Sequence, residues 1–378
     1  MRIAINTRLL LKDRLEGIGW FMYETLKRIT TTHPEHEFMF IFDRPYFDEF
    51  IFSDNITPVV IGPPARHPVL YYLWFEHRIP NILRKLKADL FLSPDGYLSM
   101  RSLVPQIAVI HDISFYHRPQ DLPGMTSWYY NYFFPKFARK ASRIATVSEY
   151  SKSDISKSYG IDASNIDVVY NGIKSGFKPA PIKQKESTRH KYTGGMPYFL
   201  YVGALHPRKN ITGLLKAFER FKGLHKHPTK LLIVGGEMHK TSEIRQFFNT
   251  MTAREDVIFT GRVAESELQS IYGAALALIY IPFFEGFGIP IAEGMSSGIP
   301  VVCSNTTSMP EVGGEAVMYV DPNNTLQIAE SMYLLATNEN LQSKLISLGL
   351  KQAESFSWNK TSGLLWNCIE KVLLAPSV

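Results

Sequence analysis

Short apolar runs alternate with amphipathic stretches along the whole chain, and few folds accommodate that rhythm. A run too short for a helix and apolar throughout reads as a strand buried on both faces. A stretch with apolar residues three and four apart reads as a helix lying on a sheet. Strand and helix in alternation give a doubly wound, parallel α/β architecture. In the first half the expected strands are Arg2–Asn6, Phe38–Phe42, Val59–Ile61, Asp89–Leu92, Gln106–Ile110, Arg143–Val147 and Ile166–Tyr170. Helices are expected from about Trp20 to Thr30, over Leu70–Leu86, over Thr126–Ala141, and from a Ser148 cap to Tyr159.

Asn171-Gly172 is a turn dipeptide, and the composition shifts after it. Lys174–Pro197 is polar and charged, with prolines at 179, 181 and 197, and reads as a linker. A second α/β half follows. Its strands are expected at Tyr198–Val202, Lys230–Val234, Val257–Thr260, Leu276–Ile281, Val301–Ser304 and Ala316–Val320. Its helices are expected at Ile211–Lys222, with Asn210 as cap, at Leu326–Ser355, and from about Ser357 to Leu374. A length of 378 residues fits two domains of ordinary size. The expected division is 1–180, 181–355 and a terminal helix over 356–378.

Several function classes are disfavoured at once. The net charge of +6 is mild for this length. It does not argue for nucleic acid, and it suits an anionic substrate or an anionic membrane surface equally well. Cys303 and Cys368 give neither a metal spacing nor a disulfide framework, which fits a reducing, cytoplasmic compartment. Polar Asn6, Thr7 and Arg8 interrupt the first apolar run too early for a signal peptide, and the longest apolar run, Ala274–Phe284, is too short to span a bilayer. A soluble or peripheral protein is expected. Asp-x-Asp and Gly-x-x-x-x-Gly-Lys-Ser/Thr do not occur.

The densest chemistry lies in Glu285-Gly-Phe-Gly-Ile-Pro-Ile-Ala-Glu293. It follows a buried strand. Gly286 and Gly288 suit a turn in which the backbone approaches something closely. Pro290 is acceptable near the first helical position, so a helix should start at Gly288 or Ile289 and end near Ser297, before Gly298 and Pro300. Amides at such a helix start form an anion site. Glu285 in the loop and Glu293 one turn inside can accept hydrogen bonds from hydroxyls. The plainer alternative is a solvated Glu285 and a capping Glu293.

In open α/β sheets, ligands bind at the carboxyl ends of strands. Arg208 and Lys209 stand there and can neutralise a diphosphate, or form an ordinary basic loop. Gly17-Ile18-Gly19 lacks the third glycine of a dinucleotide fingerprint, Met22 occupying that position. It is a flexible loop facing a cleft or a simple turn. His111, with Asp112, ends a strand and could touch a sugar hydroxyl or be a satisfied polar residue. Two aromatic stretches, Tyr71–Phe75 with Arg78 and Trp128–Phe134 with Lys136, fit a buried helix face. The alternative for them is an amphipathic surface for a membrane or a lipid-linked acceptor.

Taken together, these residues resemble the retaining glycosyltransferases of family 4, the group 1 transferases of the GT-B fold. The resemblance rests on Glu285 to Glu293 and Gly203 with Arg208-Lys209-Asn210. Gly261-Arg262, Gly17-Ile18-Gly19, His111-Asp112 and Thr146-Val-Ser-Glu149 add to it. Ser304-Asn305, Met309-Pro310-Glu311-Val312, Val320-Asp321-Pro322 and Phe356-Ser357-Trp358 extend it over nearly the whole chain. It implies two Rossmann-like domains facing a central cleft, with the last helix crossing back to the first domain.

By that resemblance Glu293 would hold the nucleotide ribose and Glu285 the donor sugar. Arg208 and Lys209 would bind the diphosphate, helped by amides near Phe287 and Gly288. Gly203 and Arg262 would line the nucleotide site. Gly17 and Gly19 would close on the diphosphate, and His111 would touch the sugar. Many relatives carry Arg after Gly-x-Gly; here it is Trp20. No cofactor or metal is implied. The implied partners are a sugar nucleotide, GDP-mannose or a UDP-sugar, and a saccharide or lipid-linked acceptor at the cytoplasmic face of a membrane.

Overall fold

The computed structural model describes residues 1–236 and 242–375. They form two compact units. The first comprises Met1–Gly172 together with the chain from Trp358 onward; the second is Ile173–Ser357.

The first unit holds a seven-stranded sheet of β1 (Arg2–Asn6), β2 (Glu37–Phe42), β3 (Ile56–Val60), β4 (Leu90–Ser93), β5 (Gln106–Val109), β6 (Arg143–Thr146) and β7 (Ile166–Val168). The order is β3-β2-β1-β4-β5-β6-β7, and every pair is parallel. Successive side chains of a strand point to opposite faces. Ile3, Ile5, Leu90 and Leu92 therefore enter one core and Ala4 and Phe91 the other. The first core is closed by the helix Gly17–Thr32 and by the terminal helix Trp358–Leu373, which contributes Leu365, Trp366 and Ile369. The second is closed by the helical stretch from Pro68 to Leu86 and by the helix Gly124–Lys140.

The second unit repeats the plan with six strands: β8 (Tyr198–Val202), β9 (Lys230–Val234), β10 (Val257–Gly261), β11 (Ala277–Tyr280), β12 (Val301–Ser304) and β13 (Met318–Val320). Their order is β10-β9-β8-β11-β12-β13, again parallel. In each sheet the winding reverses direction beside the first strand, between β1 and β4 and between β8 and β11. Such a switch point leaves a crevice at the carboxyl ends of the strands.

The structure departs from the sequence reading in several places. The polar stretch after Lys174 contains a helix, Ile182–Thr193, where a linker was expected. Its residues are mostly polar and only Thr188 and Thr193 are buried, so it has no apolar stripe to reveal it. The division between units falls at 172/173 instead of 180/181. Phe177 is buried edge-on against Tyr272 at 5.2 Å, and its carbonyl accepts a 2.7 Å bond from Ser296, which fixes this segment to the second unit. The helical region expected over Leu326–Ser355 is two helices, Thr325–Thr337 and Glu339–Ala353, separated by Asn338, whose side chain caps the second. Gly17 and Gly19 lie in the first turn of a helix and not in a loop.

No helix among the described residues is long and apolar enough to cross a membrane.

Candidate active site

The Glu285–Glu293 stretch takes the expected form. Its helix runs Ile289–Ser296, with Pro290 in the first turn and Gly288 as the residue before it. Gly288 has φ +94°, a left-handed conformation that glycine adopts without strain, and a Cβ there would press on Ile291. Phe287 is buried and meets Phe356 edge-on at 5.4 Å, so its side chain belongs to the core and leaves its backbone to any ligand.

Glu285 is held at the end of this turn. Its amide donates to Thr307 Oγ1 at 3.2 Å, and its carbonyl accepts from Ser308 Oγ at 2.9 Å. Two cations converge on the carboxylate. Arg208 Nη1 donates to Oε1 at 3.1 Å and to the Phe284 carbonyl at 3.0 Å. Lys209 Nζ donates to the same Oε1 and to the Tyr280 hydroxyl at 2.9 Å. Arg208 and Lys209 sit in a short 3-10 turn just after β8, and Glu285 just after β11. The switch point of the second sheet thus carries two cations on one carboxylate. Side-chain exposures of 22%, 14% and 10% for Arg208, Lys209 and Glu285 leave the group within reach of solvent. An anion that entered could share both cations by charge-assisted hydrogen bonds.

Asn210 is not the side-chain cap that was expected. It adopts φ +58°, and its Nδ2 instead bonds the carbonyls of Ile281 and Pro322 at 3.1 and 2.7 Å. The residue therefore ties the Arg208-Lys209 turn to the end of β11. Gly213 leaves the room this needs, since a Cβ there would overlap the Asn210 amide.

Glu293 lies on the first helical turns, partly buried, and accepts a 2.9 Å bond from the Tyr272 hydroxyl. Burial raises its pKa to about 7, against the lowering effects of Tyr272 and Lys174. Gly203 has φ +150°, and a Cβ at Gly235 would fall 1.9 Å from its carbonyl oxygen. This is a close backbone approach at the ends of β8 and β9. Arg262 rests against Gly236, where a Cβ would meet its Nε at 2.9 Å.

In the first unit, the ends of β1, β4 and β5 gather His111 with groups that the sequence reading passed over. His111 Nε2 lies 2.9 Å from the Pro94 carbonyl. A carbonyl only accepts, so Nε2 carries the hydrogen and Nδ1 holds a lone pair. Burial lowers the His111 pKa, which keeps the ring neutral near pH 7. The ring packs edge-on against Phe21 at 4.9 Å, on the helix that Gly17 and Gly19 begin. Gly19 is needed there: a Cβ would crowd Leu15 and the Leu9 carbonyl at 3.1 Å. Beside them Arg8 Nε donates to Asp95 Oδ2 at 2.6 Å, and Asn6 Nδ2 donates to Asp95 Oδ1 at 2.8 Å. The Arg8 guanidinium lies 4.6 Å from the Tyr97 ring centroid and 5.1 Å from that of Tyr71. Burial opposes its charge, but Asp95 and these rings raise its pKa overall.

The residues missed were Tyr280, Tyr272, Thr307 and the Arg8–Asp95 pair. Each looks like an ordinary core or loop residue in sequence. Only Gly235-Gly236, a glycine pair at a strand end, gave a signal that could have been followed further. Among the described residues, no group of three or more His, Cys, Asp or Glu side chains is placed to hold a metal ion.

Two doubly wound parallel domains of this kind make a GT-B fold. HepE of Anabaena, solved with UDP and glucose, superposes with a TM-score of 0.76 at 15% identity, over 98% of this chain and 99% of that one. The sequence profile described as Glycosyl transferases group 1 matches residues 183–352, and that described as Glycosyltransferase Family 4 matches 17–176. O-antigen chain mannosyltransferase B of Escherichia coli is 29% identical over 359 residues, 92% of this chain and 94% of that protein. O-antigen chain mannosyltransferase RfbU of Salmonella typhimurium is 31% identical over 283 residues, 74% and 75% of the two chains. The chain belongs to the group 1, family 4 glycosyltransferases.

Proposed function

We propose that this glycosyltransferase moves mannose from GDP-mannose to a saccharide or lipid-linked saccharide acceptor in surface polysaccharide synthesis, with retention of configuration and without a metal. The observation that carries the reading is the pair Arg208 and Lys209 gathered on Glu285 at the start of the Ile289–Ser296 helix. Two cations beside a helix N-terminus suit a diphosphate, and a neighbouring carboxylate suits sugar hydroxyls. The choice of mannose is supported by the two mannosyltransferase relatives, one aligned over 92% of the chain.

In this reading the acceptor oxygen attacks the anomeric carbon on the face that the diphosphate leaves. The new carbon–oxygen bond forms as the carbon–phosphate oxygen bond breaks, and a phosphate oxygen takes the acceptor proton. Arg208 and Lys209 stabilise the charge that develops on the leaving group. They supply the positive charge that a metal would otherwise bring. Glu285 orients the donor sugar, Glu293 the ribose, and His111 accepts from a sugar hydroxyl through Nδ1. Gly203, Arg262 and the backbone at Phe287 and Gly288 line the nucleotide.

A thermal-shift panel of GDP-, UDP-, ADP- and dTDP-sugars tests the donor, because a ligand that binds the folded state raises apparent stability by mass action. GDP-mannose should give the largest rise, and a preference for UDP would refute the donor. Transfer should persist in EDTA, and the product should keep the donor's anomeric configuration by NMR. A covalent adduct trapped on Glu285 with a fluorinated donor would overturn the mechanism.

A further inference from the structure

We propose that Asp95, clamped by Arg8 and Asn6, is a positioning residue for His111: it holds the turn Ser93-Pro94-Asp95-Gly96 in the one form that aims the Pro94 carbonyl at Nε2 and leaves Nδ1 as the acceptor. This role rests on the reading above, in which His111 accepts from a sugar hydroxyl through Nδ1. All of these residues lie in the first unit. The Gly96 amide donates to the Ser93 carbonyl at 3.1 Å, which closes a β-turn with Pro94 and Asp95 at its centre. Proline cannot take positive φ, so the mirror-image turns are excluded. Types I and II remain, and they differ by a flip of the peptide that joins Pro94 to Asp95. Type II needs positive φ at Asp95. Asp95 is not among the described residues with positive φ, so the turn is of type I. Its central carbonyl, that of Pro94, lies 2.9 Å from His111 Nε2. A flip would put the Asp95 N–H where that carbonyl stands. An N–H needs a lone pair opposite it, so the ring would then carry its hydrogen on Nδ1 and offer a ligand hydroxyl no acceptor there. The form of the turn therefore sets the tautomer.

Three donors hold Asp95 against that flip. Asn6 Nδ2 and the Ser93 hydroxyl bond its Oδ1 at 2.8 and 3.0 Å, and Arg8 Nε bonds its Oδ2 at 2.6 Å. Arg8 is itself fixed, with Nη1 on the Ala65 carbonyl at 2.9 Å and the Tyr71 and Tyr97 rings against the guanidinium. Turning Asp95 to positive φ would pull its carboxylate off these partners. Gly96, with φ +82°, seats the turn on the end of β5: a Cβ there would meet the Val109 carbonyl at 3.3 Å and the Phe134 ring at 3.0 Å. His111 follows that carbonyl by two residues. Stability alone gives little reason for an ion pair here, because apolar residues of similar volume often fold as well as a buried pair. What apolar residues cannot supply is a fixed carboxylate that dictates the form of a turn.

The test is nitrogen NMR of the full chain labelled at histidine, in which a ring nitrogen that carries hydrogen is told from one that holds a lone pair. His111→Gln identifies the His111 signals. In the wild type Nε2 should carry the hydrogen. Arg8→Met with Asp95→Gly removes both charges together, so no ion is left alone in the core. It also places Pro-Gly at the centre of the turn, which favours type II, and should move the His111 hydrogen to Nδ1. Asp95→Asn is the second variant. It loses the charge that Arg8 answers, tolerates positive φ, and should show both tautomers. Melting curves check that each variant is folded. Sugar transfer should fall by roughly 10–100-fold in the double variant. GDP binding by calorimetry should stay near wild type, because Arg208 and Lys209 belong to the second unit. A wild-type ring with its hydrogen on Nδ1, or folded variants that keep the wild-type tautomer, would overturn the proposal. A tautomer that moves while transfer keeps its wild-type rate would uphold the positioning and refute instead the part given to His111 in the reaction.

Discussion

The two sheets place different polar clusters at the same topological position. Beside β1 and β4, Arg8 and Asp95 form a pair with side-chain exposures of 7% and 1%. Backbone and rings complete that enclosure, with Arg8 Nη1 on the Ala65 carbonyl at 2.9 Å and Tyr97 over the guanidinium. Beside β8 and β11, Arg208 and Lys209 share Glu285 with exposures of 22% and 14% for the cations. A cation enclosed by its own carboxylate and aromatic rings is a structural element. A cation pair that shares one carboxylate near solvent can be taken over by a ligand. One fold plan thus yields an enclosed ion pair in one unit and a less buried pair of cations in the other, and the difference lies in burial.

The contrast can be broken most sharply at Arg8. Arg8→Ala leaves Asp95 buried without its countercharge, and the expected cost is about 3–5 kcal/mol of stability by denaturant unfolding. Glu285→Ala should cost less, about 1–3 kcal/mol, because the two cations it leaves behind keep more solvent than Asp95 does. Equal losses would mean that the two clusters do the same structural job. Next in size, Lys209→Ala should lower kcat/KM for sugar transfer by about 10²–10³-fold while unfolding stays close to wild type. An unchanged rate would remove Lys209 from the chemistry.

Glu285→Gln sharpens the comparison further. The two cations lose the carboxylate that competes for them, so free nucleoside diphosphate should bind as well as before or more tightly. Transfer should fall by roughly 10–100-fold because the donor sugar loses a charged acceptor. Calorimetry beside steady-state rates separates these outcomes, and parallel losses in both would contradict the assigned role.

The smallest effect concerns Glu293. Its folded pKa of about 7 lies above the ordinary 4.5, so the folded state holds the proton more tightly. Below pH 4.5 both states are protonated and its contribution is fully present. As pH rises toward and through 7 the unfolded state ionises first, and stability is lost. Glu293→Gln should flatten that part of the stability profile and gain about 1 kcal/mol at pH 8, a value discounted for the solvent that still reaches the side chain. A steeper profile in the variant would show that the carboxylate is stabilised in its ionised form.

Much of this was legible in advance. The strands of the second half were found almost to the residue because each is an unbroken apolar run between turn signals. The start of the helix after Glu285 was found because Gly288 and Pro290 impose backbone angles locally. The helix Ile182–Thr193 was missed because it covers its neighbours with so few buried side chains that no apolar period marks it. The early start of the Gly17–Thr32 helix was missed because glycine carries a loop signal wherever it stands. Here Gly19 serves a close contact inside a helical turn.

What the sequence alone determined is whatever local rules can fix: the alternation of elements, the two doubly wound halves, and a glycine-and-proline turn bearing carboxylates at a strand end. The tertiary structure decided which groups meet. Lys209 reaches Glu285 across 76 residues and Arg8 reaches Asp95 across 87. Tyr280 and Tyr272, whose rings belong to the core, turn out to present their hydroxyls to the lysine and to Glu293. Such pairings depend on strand order and on side-chain direction across a sheet. No run of neighbouring residues records either, so only the folded chain could separate the enclosed arginine from the two less buried cations on Glu285.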